Sequence, residues 1–339
     1  MAITLLVLSP LLALRAALPL EWKQLAPLPN QLGVAGAFAG VSEGALLVAG
    51  GANFPDQMPW DGGAKAWHDD VFVLEQPDGA WRVAGRLPVP LGYGVSISHP
   101  RGLICIGGSD ARQHHASVQV LSWKKGKLKI ESLPALPEPC ANFSGTLIGD
   151  TVYVAVGAAT PTATNALNTL FSMNLAMKQP GWRALEPLPG PGRILATAGA
   201  HDGAFYVFGG AALKAGADGK PVREWLRDAW RYTPGQGWKR LADLPRAAVA
   251  APSPAPIVHG KLLVLGGDDG AQVSTPPAQH QGFRRDMLAY DPKSDRWEQL
   301  GELPFAHVTT AVVRWNNRFV IPSGEIRPGI RSPEVWRIE

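Results

Sequence analysis

Cysteine is nearly missing from this chain: Cys105 and Cys140 are the only two in 339 residues. Two thiols make neither a disulfide scaffold nor a cysteine-rich metal site. Both fall among apolar or small residues, where buried inert thiols are expected. Metal-spaced histidine is lacking as well. His114 and His115 are adjacent, so in a strand they face opposite ways, and the other six histidines are scattered along the chain. Asp268-Asp269 is a pair of loop acids, which alone does not make a cation site. No metal is expected.

Charge is sparse, at 18% of residues, with a net charge of +4. The one local basic run is Lys124, Lys125, Lys127 and Lys129. No aromatic series interleaves with it, so a solvated outer strand explains it better than a nucleic-acid groove. A mildly positive protein suits an anionic small molecule. Long apolar runs are also absent. The stretch Ile3–Leu14 is too short to cross a bilayer as a helix, and no stable membrane insertion is expected. It resembles the apolar part of a signal peptide, although no Lys or Arg precedes it and no A-x-A site follows. Residues 1–18 are therefore read as a signal peptide or N-terminal extension. The expected location is periplasmic or exported, with the cytoplasm as the alternative.

Turn formers are abundant: 38 Gly and 31 Pro. Long helices tolerate both badly, while many short strands joined by turns need them. A Gly-Gly doublet follows an apolar strand at LLVAGG (ending at Gly51), LICIGG (Gly108), YVFGG (Gly210) and LLVLGG (Gly267). Degenerate copies end at Gly157 and Gly324, and the six glycines lie 57, 49, 53, 57 and 57 residues apart. A second marker, Trp followed by Leu-Pro, keeps the same phase at Trp22, Trp81, Trp182, Trp238 and Trp297; the third copy keeps only Leu136-Pro137. A period near 50 is that of a kelch blade. The expected fold is all-β: a six-bladed kelch-type β-propeller over residues 19–339, as one domain.

Each repeat reads as four strands, with small residues innermost, as in Gly33–Val41 and Ile194–Ala200. Pro252, Pro254 and Pro256 remove donors from one edge only, which suits an edge strand lining the channel. The last repeat stops after its third strand, while a Trp strand, Leu20–Ala26, precedes the first complete repeat. Placing that strand outermost on the last blade closes the ring and hides an exposed sheet edge.

A propeller binds ligands at the mouth of its channel, where loops converge. The loops after Gly-Gly share one face; three are long (Ala52–His68, Ala211–Arg227, Asp268–Arg284). The sixth, Glu325–Arg331, is short and charged, with Pro328-Gly329 as a tight turn that fixes Glu325 relative to Arg331. A carboxylate beside a guanidinium can join acid/base chemistry to capture of an anion, though the spacing alone favours a plain surface ion pair. Asn53 is either a ligand-contacting amide or a turn former. The Trp residues at blade period read as packing. Trp60 and Trp67 break the period and can stack on a sugar.

The segments GVAGAFAGVSEGALLVAGGANF (Gly33–Phe54), GYGVS with ICIGG (Gly92–Ser96, Ile104–Gly108) and SGEIRPGIRSPEV (Ser323–Val335) resemble the N-acetylneuraminate epimerase (sialic acid mutarotase) family. The likeness runs over nearly the whole chain but in rotated order, similar to a cyclically permuted branch. It implies a catalytic role for Glu325 and substrate binding by Arg331. The implied reaction is interconversion of the α- and β-anomers of N-acetylneuraminate or a related acidic sugar, without cofactor, metal or covalent intermediate. The alternative is a non-catalytic kelch module that binds glycan or protein. Glu325 at the channel mouth would favour the enzyme.

Overall fold

The computed structural model describes residues 20–338, so the segment read as a leader lies outside the described residues. Six four-stranded antiparallel sheets are arranged as the blades of a propeller. Blade 1 runs outward through Phe38–Ser42, Ala45–Ala49, Asp70–Leu74 and Arg82–Arg86. Blades 2 to 5 repeat this order, from inner strands at Val95–His99, Ser144–Ile148, Thr197–His201 and Ile257–Val258. Among the described residues the only helical turns are two 3-10 segments, Pro59–Asp61 and Pro277–Gln279. The second strand of each blade has an apolar core, buried along its whole length at ALLVA (Ala45–Ala49) in blade 1, because it is covered by neighbouring blades on both faces.

Blade 6 closes the ring as the strand count requires. It consists of Val313–Trp315, Arg318–Arg327 and Ile330–Ile338, with Trp22–Leu25 from the other end of the chain paired outermost. The register runs from Trp22↔Ile338 to Leu25↔Val335. The indole of Trp22 packs edge-on against Phe305, at 5.1 Å between ring centroids. The other blade tryptophans tie blade to blade. Trp81 Nε1 donates to the Ala26 carbonyl (2.8 Å), Trp182 to Pro134 (2.9 Å), Trp238 to Glu186 (2.8 Å) and Trp297 to Ala242 (2.9 Å). Each of these indoles is a packing group with its one donor satisfied.

At the axis the blades are joined by backbone alone. Gly36, Tyr93, Asn142, Leu195, Ala250 and Thr309, one per blade, all have positive φ, between 52° and 69°. Each donates its N–H to the carbonyl of the previous member, and Gly36 completes the circle by donating to Thr309; the six N···O distances are 2.7–2.9 Å. The residue before each ring member pairs with the residue after each Gly marker: Ala35↔Ala52, Gly92↔Ser109, Ala141↔Ala158, Ile194↔Ala211, Val249↔Asp268 and Val308↔Glu325.

The Gly markers lie close against this layer. A Cβ at Gly50 would fall 2.1 Å from the Leu91 carbonyl oxygen. Where the doublet is degenerate, the left-handed conformation persists on Val156 (φ 63°) and Ser323 (φ 58°). The Ser323 hydroxyl accepts from the Val34 N–H at 2.8 Å, which fastens blade 6 to blade 1. Two buried ion pairs do a similar task elsewhere. Arg193 forks onto Asp228 (2.7 Å to each oxygen) and reaches the Gly209 carbonyl, and Arg246 links Asp286 to the Gly266 carbonyl.

One expectation is corrected in blade 5. Pro252, Pro254 and Pro256 do not form a regular strand; the inner strand is only Ile257–Val258. Proline has no ladder donor. The intervening N–H groups turn to neighbouring blades instead, Ser253 to Thr310 and Ala255 to Ala198. Ser253 and Pro254 do line the channel.

The closing strand yields a direct test. A chain starting at residue 27 loses Trp22–Leu25 and exposes the edge of Ile330–Ile338. It should melt far below the full chain, whereas Trp22→Ala should cost about 2 kcal/mol. Equal melting of the shortened and full chains, read by circular dichroism, would contradict closure by this strand.

Candidate active site

Six equivalent positions ring the axis below the mouth of the channel, the residues directly after the Gly markers. Four are Ala or Ser; the other two are Asp268 and Glu325, on adjacent blades. The Glu325 backbone is fixed on both sides, its N–H and C=O each bonded to Val308 at 3.0 and 2.8 Å. The segment expected as a short loop is in fact the end of a hairpin. The strands Arg318–Arg327 and Ile330–Ile338 continue past the blade, with Glu325 opposite Arg331 and a bulge before Arg327. Pro328-Gly329 makes the turn, and the Gly329 N–H donates to Glu325 Oε1 at 2.9 Å.

Arg331 Nη1 lies 3.1 Å from the same oxygen, an ion pair on a side chain only 4% exposed. Its guanidinium covers the Phe54 ring at 5.1 Å and Nε reaches the Ala52 carbonyl. Both residues line a cavity of about 830 Å³ above the ring of backbone bonds. One wall is aromatic and cationic, with Phe54, Lys65, Trp67 and Tyr93; the other is small and apolar, with Ala158, Ile194, Leu195 and Leu213. Two buried polar atoms on lining residues have no hydrogen-bond partner, Tyr93 Oη and His114 Nε2, and Arg331 Nη1 has only its ion-pair contact with Glu325. Unmet polar atoms around a cavity of this size are what a polar ligand would satisfy.

His114 and His115 lie in a loop rather than a strand and go to different partners. His114 Nδ1 bonds the Ser109 hydroxyl (3.0 Å) behind the cavity wall, and His115 Nε2 pairs with Asp110 (2.8 Å). Burial pulls the His114 imidazole down to about 4, so it is neutral at pH 7. Burial pushes Asp110 up, yet the N–H groups of Arg112 and Gln113 and the contact with His115 outweigh it and hold the carboxyl at about 2. Asp268 accepts from Trp225 Nε1 and from the Gly270 N–H. Among the described residues no three His, Cys, Asp or Glu side chains are grouped to hold a metal.

Asn53 requires a correction. It is 2% exposed, with Nδ2 donating to Asn30 and the Gly33 carbonyl and Oδ1 bonded to His68 Nε2. Its amide is buried in the wall, with both N–H groups used there, and is not among the cavity-lining residues. Of the two off-period tryptophans, Trp67 lines the cavity and packs on Tyr93 at 5.4 Å. Trp60 instead braces the hairpin tip: a Cβ at Gly329 would fall 2.8 Å from its ring. Neither Lys65 nor Tyr93 stands out in the sequence, and His114 is weighed there only as a metal ligand. Tyr93 lies inside the quoted GYGVS segment and Lys65 inside the loop Ala52–His68, but nothing in their spacing marks them.

The fold and this mouth define a kelch-type propeller with one carboxylate–guanidinium pair in a ligand-sized cavity. A Kelch motif matches residues 251–304. The sequence model of the N-acetylneuraminate epimerase family matches residues 13–130 and 133–275, and the chain belongs to that family. The matched stretches end before the hairpin that carries Glu325. An N-acetylneuraminate epimerase of Yersinia pestis (strain Pestoides F) is 48% identical over 111 residues, covering 30% of this chain and 28% of that protein. One of Haemophilus influenzae (strain PittEE) is 40% identical over 126 residues, covering 33% of each. The chain thus spans about a third of the length of the curated relatives it matches. The solved structure of YjhT superposes with a TM-score of 0.67 at 16% identity, over 92% of this chain and 96% of that one, which shows the shared fold.

The brace between hairpin and first loop can be measured. Gly329 (φ +79°) meets Trp60 and Pro59, whereas Gly219 (φ +74°) has open space around it. Gly219→Ala should cost about 1 kcal/mol for the backbone alone. Gly329→Ala should cost about 2–3 kcal/mol, because a blocked contact is added. Equal costs in urea unfolding would mean that the tip is not packed.

Proposed function

We propose that this protein interconverts the α- and β-anomers of N-acetylneuraminate or a closely related acidic sugar. The observation that carries the reading is the Glu325 carboxylate, held over the cavity by the Val308 backbone and the Gly329 N–H, with Arg331 beside it. The names of the relatives supply the substrate class. The matching sequence segments in rotated order add support, because a closed ring tolerates such permutation.

In the proposed reaction Glu325 takes the proton of the anomeric hydroxyl as the bond between the anomeric carbon and the ring oxygen breaks. Solvent water supplies a proton to the ring oxygen, and the open-chain ketone forms. Rotation about the adjacent carbon–carbon bond presents the other carbonyl face. Reclosure reverses the proton movements and returns Glu325 to its starting state. The net reaction needs no electron acceptor and leaves no covalent adduct. Arg331 balances the charge of Glu325 and holds its carboxylate in place over the cavity. The alternative, a non-catalytic binding module, gives no reason for a carboxylate at the mouth that is anchored on backbone and paired with a buried guanidinium.

The test is proton NMR of freshly dissolved α-N-acetylneuraminate. The wild-type protein should speed decay of the α signal over buffer. Glu325→Gln keeps the side-chain shape but cannot accept the proton, so it should fold, bind and lose most of the acceleration, about 10²–10⁴-fold for a positioned acid/base group. A Glu325→Gln variant that retains most of the wild-type rate would rule this mechanism out.

A further inference from the structure

The cavity is lined by six formally charged side chains: Lys65, Asp110, Arg223, Asp268, Glu325 and Arg331. Four are already engaged. Glu325 and Arg331 pair with each other, Asp110 pairs with His115, and Asp268 accepts from Trp225 and the Gly270 N–H. Two cations remain, Lys65 and Arg223, and neither meets a carboxylate among the described residues.

We infer that Lys65 receives the carboxylate of the substrate and thereby sets the preference for acidic over neutral sugars. This rests on the proposed anomerase reading of the cavity. In a 2-keto acid sugar the carboxylate hangs from the same carbon as the hydroxyl that loses its proton. The cation that binds it must therefore stand beside Glu325. Arg223 lies on the hairpin Pro221–Trp225 of blade 4, two blades from Glu325. Lys65 belongs to blade 1, the immediate neighbour of blade 6. Its ammonium and the Arg331 guanidinium share the Phe54 ring, at 5.9 and 5.1 Å from the ring centroid.

The same ammonium stands 4.8 Å from the centre of the Tyr93 ring and 5.4 Å from that of Trp67. Three aromatic rings hold a cation in place without neutralising it, as a carboxylate would. Its N–H groups stay available to an incoming anion. The anchor is firm at the backbone as well. Lys65 leads into the short strand Ala66–Trp67, which pairs with Ala52–Asn53, and the amide of Asn53 is fixed by Asn30, Gly33 and His68. Arg331, at 4% exposure and balanced by Glu325, is poorly suited to take the carboxylate alone.

Binding of N-acetylneuraminate and of its carboxyl methyl ester, measured by calorimetry, tests the inference. The wild type should prefer the acid. Lys65→Gln should weaken acid binding about tenfold, the loss of one charge-assisted contact, while ester binding stays unchanged. Lys65→Arg should restore most of the preference. Added salt should weaken acid binding by the wild type more than by Lys65→Gln. No preference in the wild type, or an unchanged preference in Lys65→Gln, would overturn the inference. Intact selectivity in a protein that fails to speed anomer exchange would leave the Lys65 site standing and refute the proposed reaction instead.

Discussion

Six backbone hydrogen bonds, passed from blade to blade around the axis, set the geometry on which the rest of the structure depends. Each requires a left-handed residue, and five of the six are not glycine. For Leu195 and Thr309 in particular this conformation is unfavourable, by roughly 1–2 kcal/mol per residue. The circle persists because each bond is made in the buried layer between blades, where an unmet N–H would cost about as much. A ring made this way leaves little freedom to any single blade. Shifting one blade would break two ring bonds and the paired bridge to the residue after its Gly marker.

The candidate site follows from that constraint. The same repeat position that carries Ala52, Ser109, Ala158 or Ala211 elsewhere carries Asp268 in blade 5 and Glu325 in blade 6. Chemistry enters by changing a side chain at a position whose backbone is already fixed. Blade 6 adds a hairpin that brings Arg331 back onto Glu325, and blade 1 adds the loop that carries Lys65 with Phe54 and Trp67. Glu325, Arg331 and Lys65 are thereby gathered on one side of the mouth, facing a wall from blades 3 and 4 that is largely apolar apart from Arg223 and Thr160. A sugar with one anionic, reactive end and one less polar end matches that asymmetry.

Much of this was legible in the sequence, because blade period is written in residue types. Gly and Trp recur where a Cβ cannot fit or an indole must bridge blades, and the missing outer strand of the last repeat announced the closure by Trp22–Leu25. The pairing of Glu325 with Arg331 followed from the Pro-Gly turn between them. The ring was not legible, since Gly36, Tyr93, Asn142, Leu195, Ala250 and Thr309 share a backbone conformation and no side chain. Nor were Arg193–Asp228 and Arg246–Asp286, whose partners are distant in sequence. Lys65 looked like any loop lysine until three rings from two blades surrounded it. Asn53 misled for the opposite reason: a polar residue beside a mouth motif was turned inward by His68 and the Gly33 carbonyl.

The central claim is that Glu325 acts on the anomeric centre of an acidic sugar held in this mouth. The most direct measurement is a crystal structure of the Glu325→Gln protein with N-acetylneuraminate. The account predicts the sugar in the cavity above the ring, its anomeric hydroxyl within hydrogen-bond distance of residue 325 and its carboxylate turned toward Lys65. A sugar bound elsewhere on the propeller, or bound here with the anomeric carbon directed away from residue 325, would contradict it.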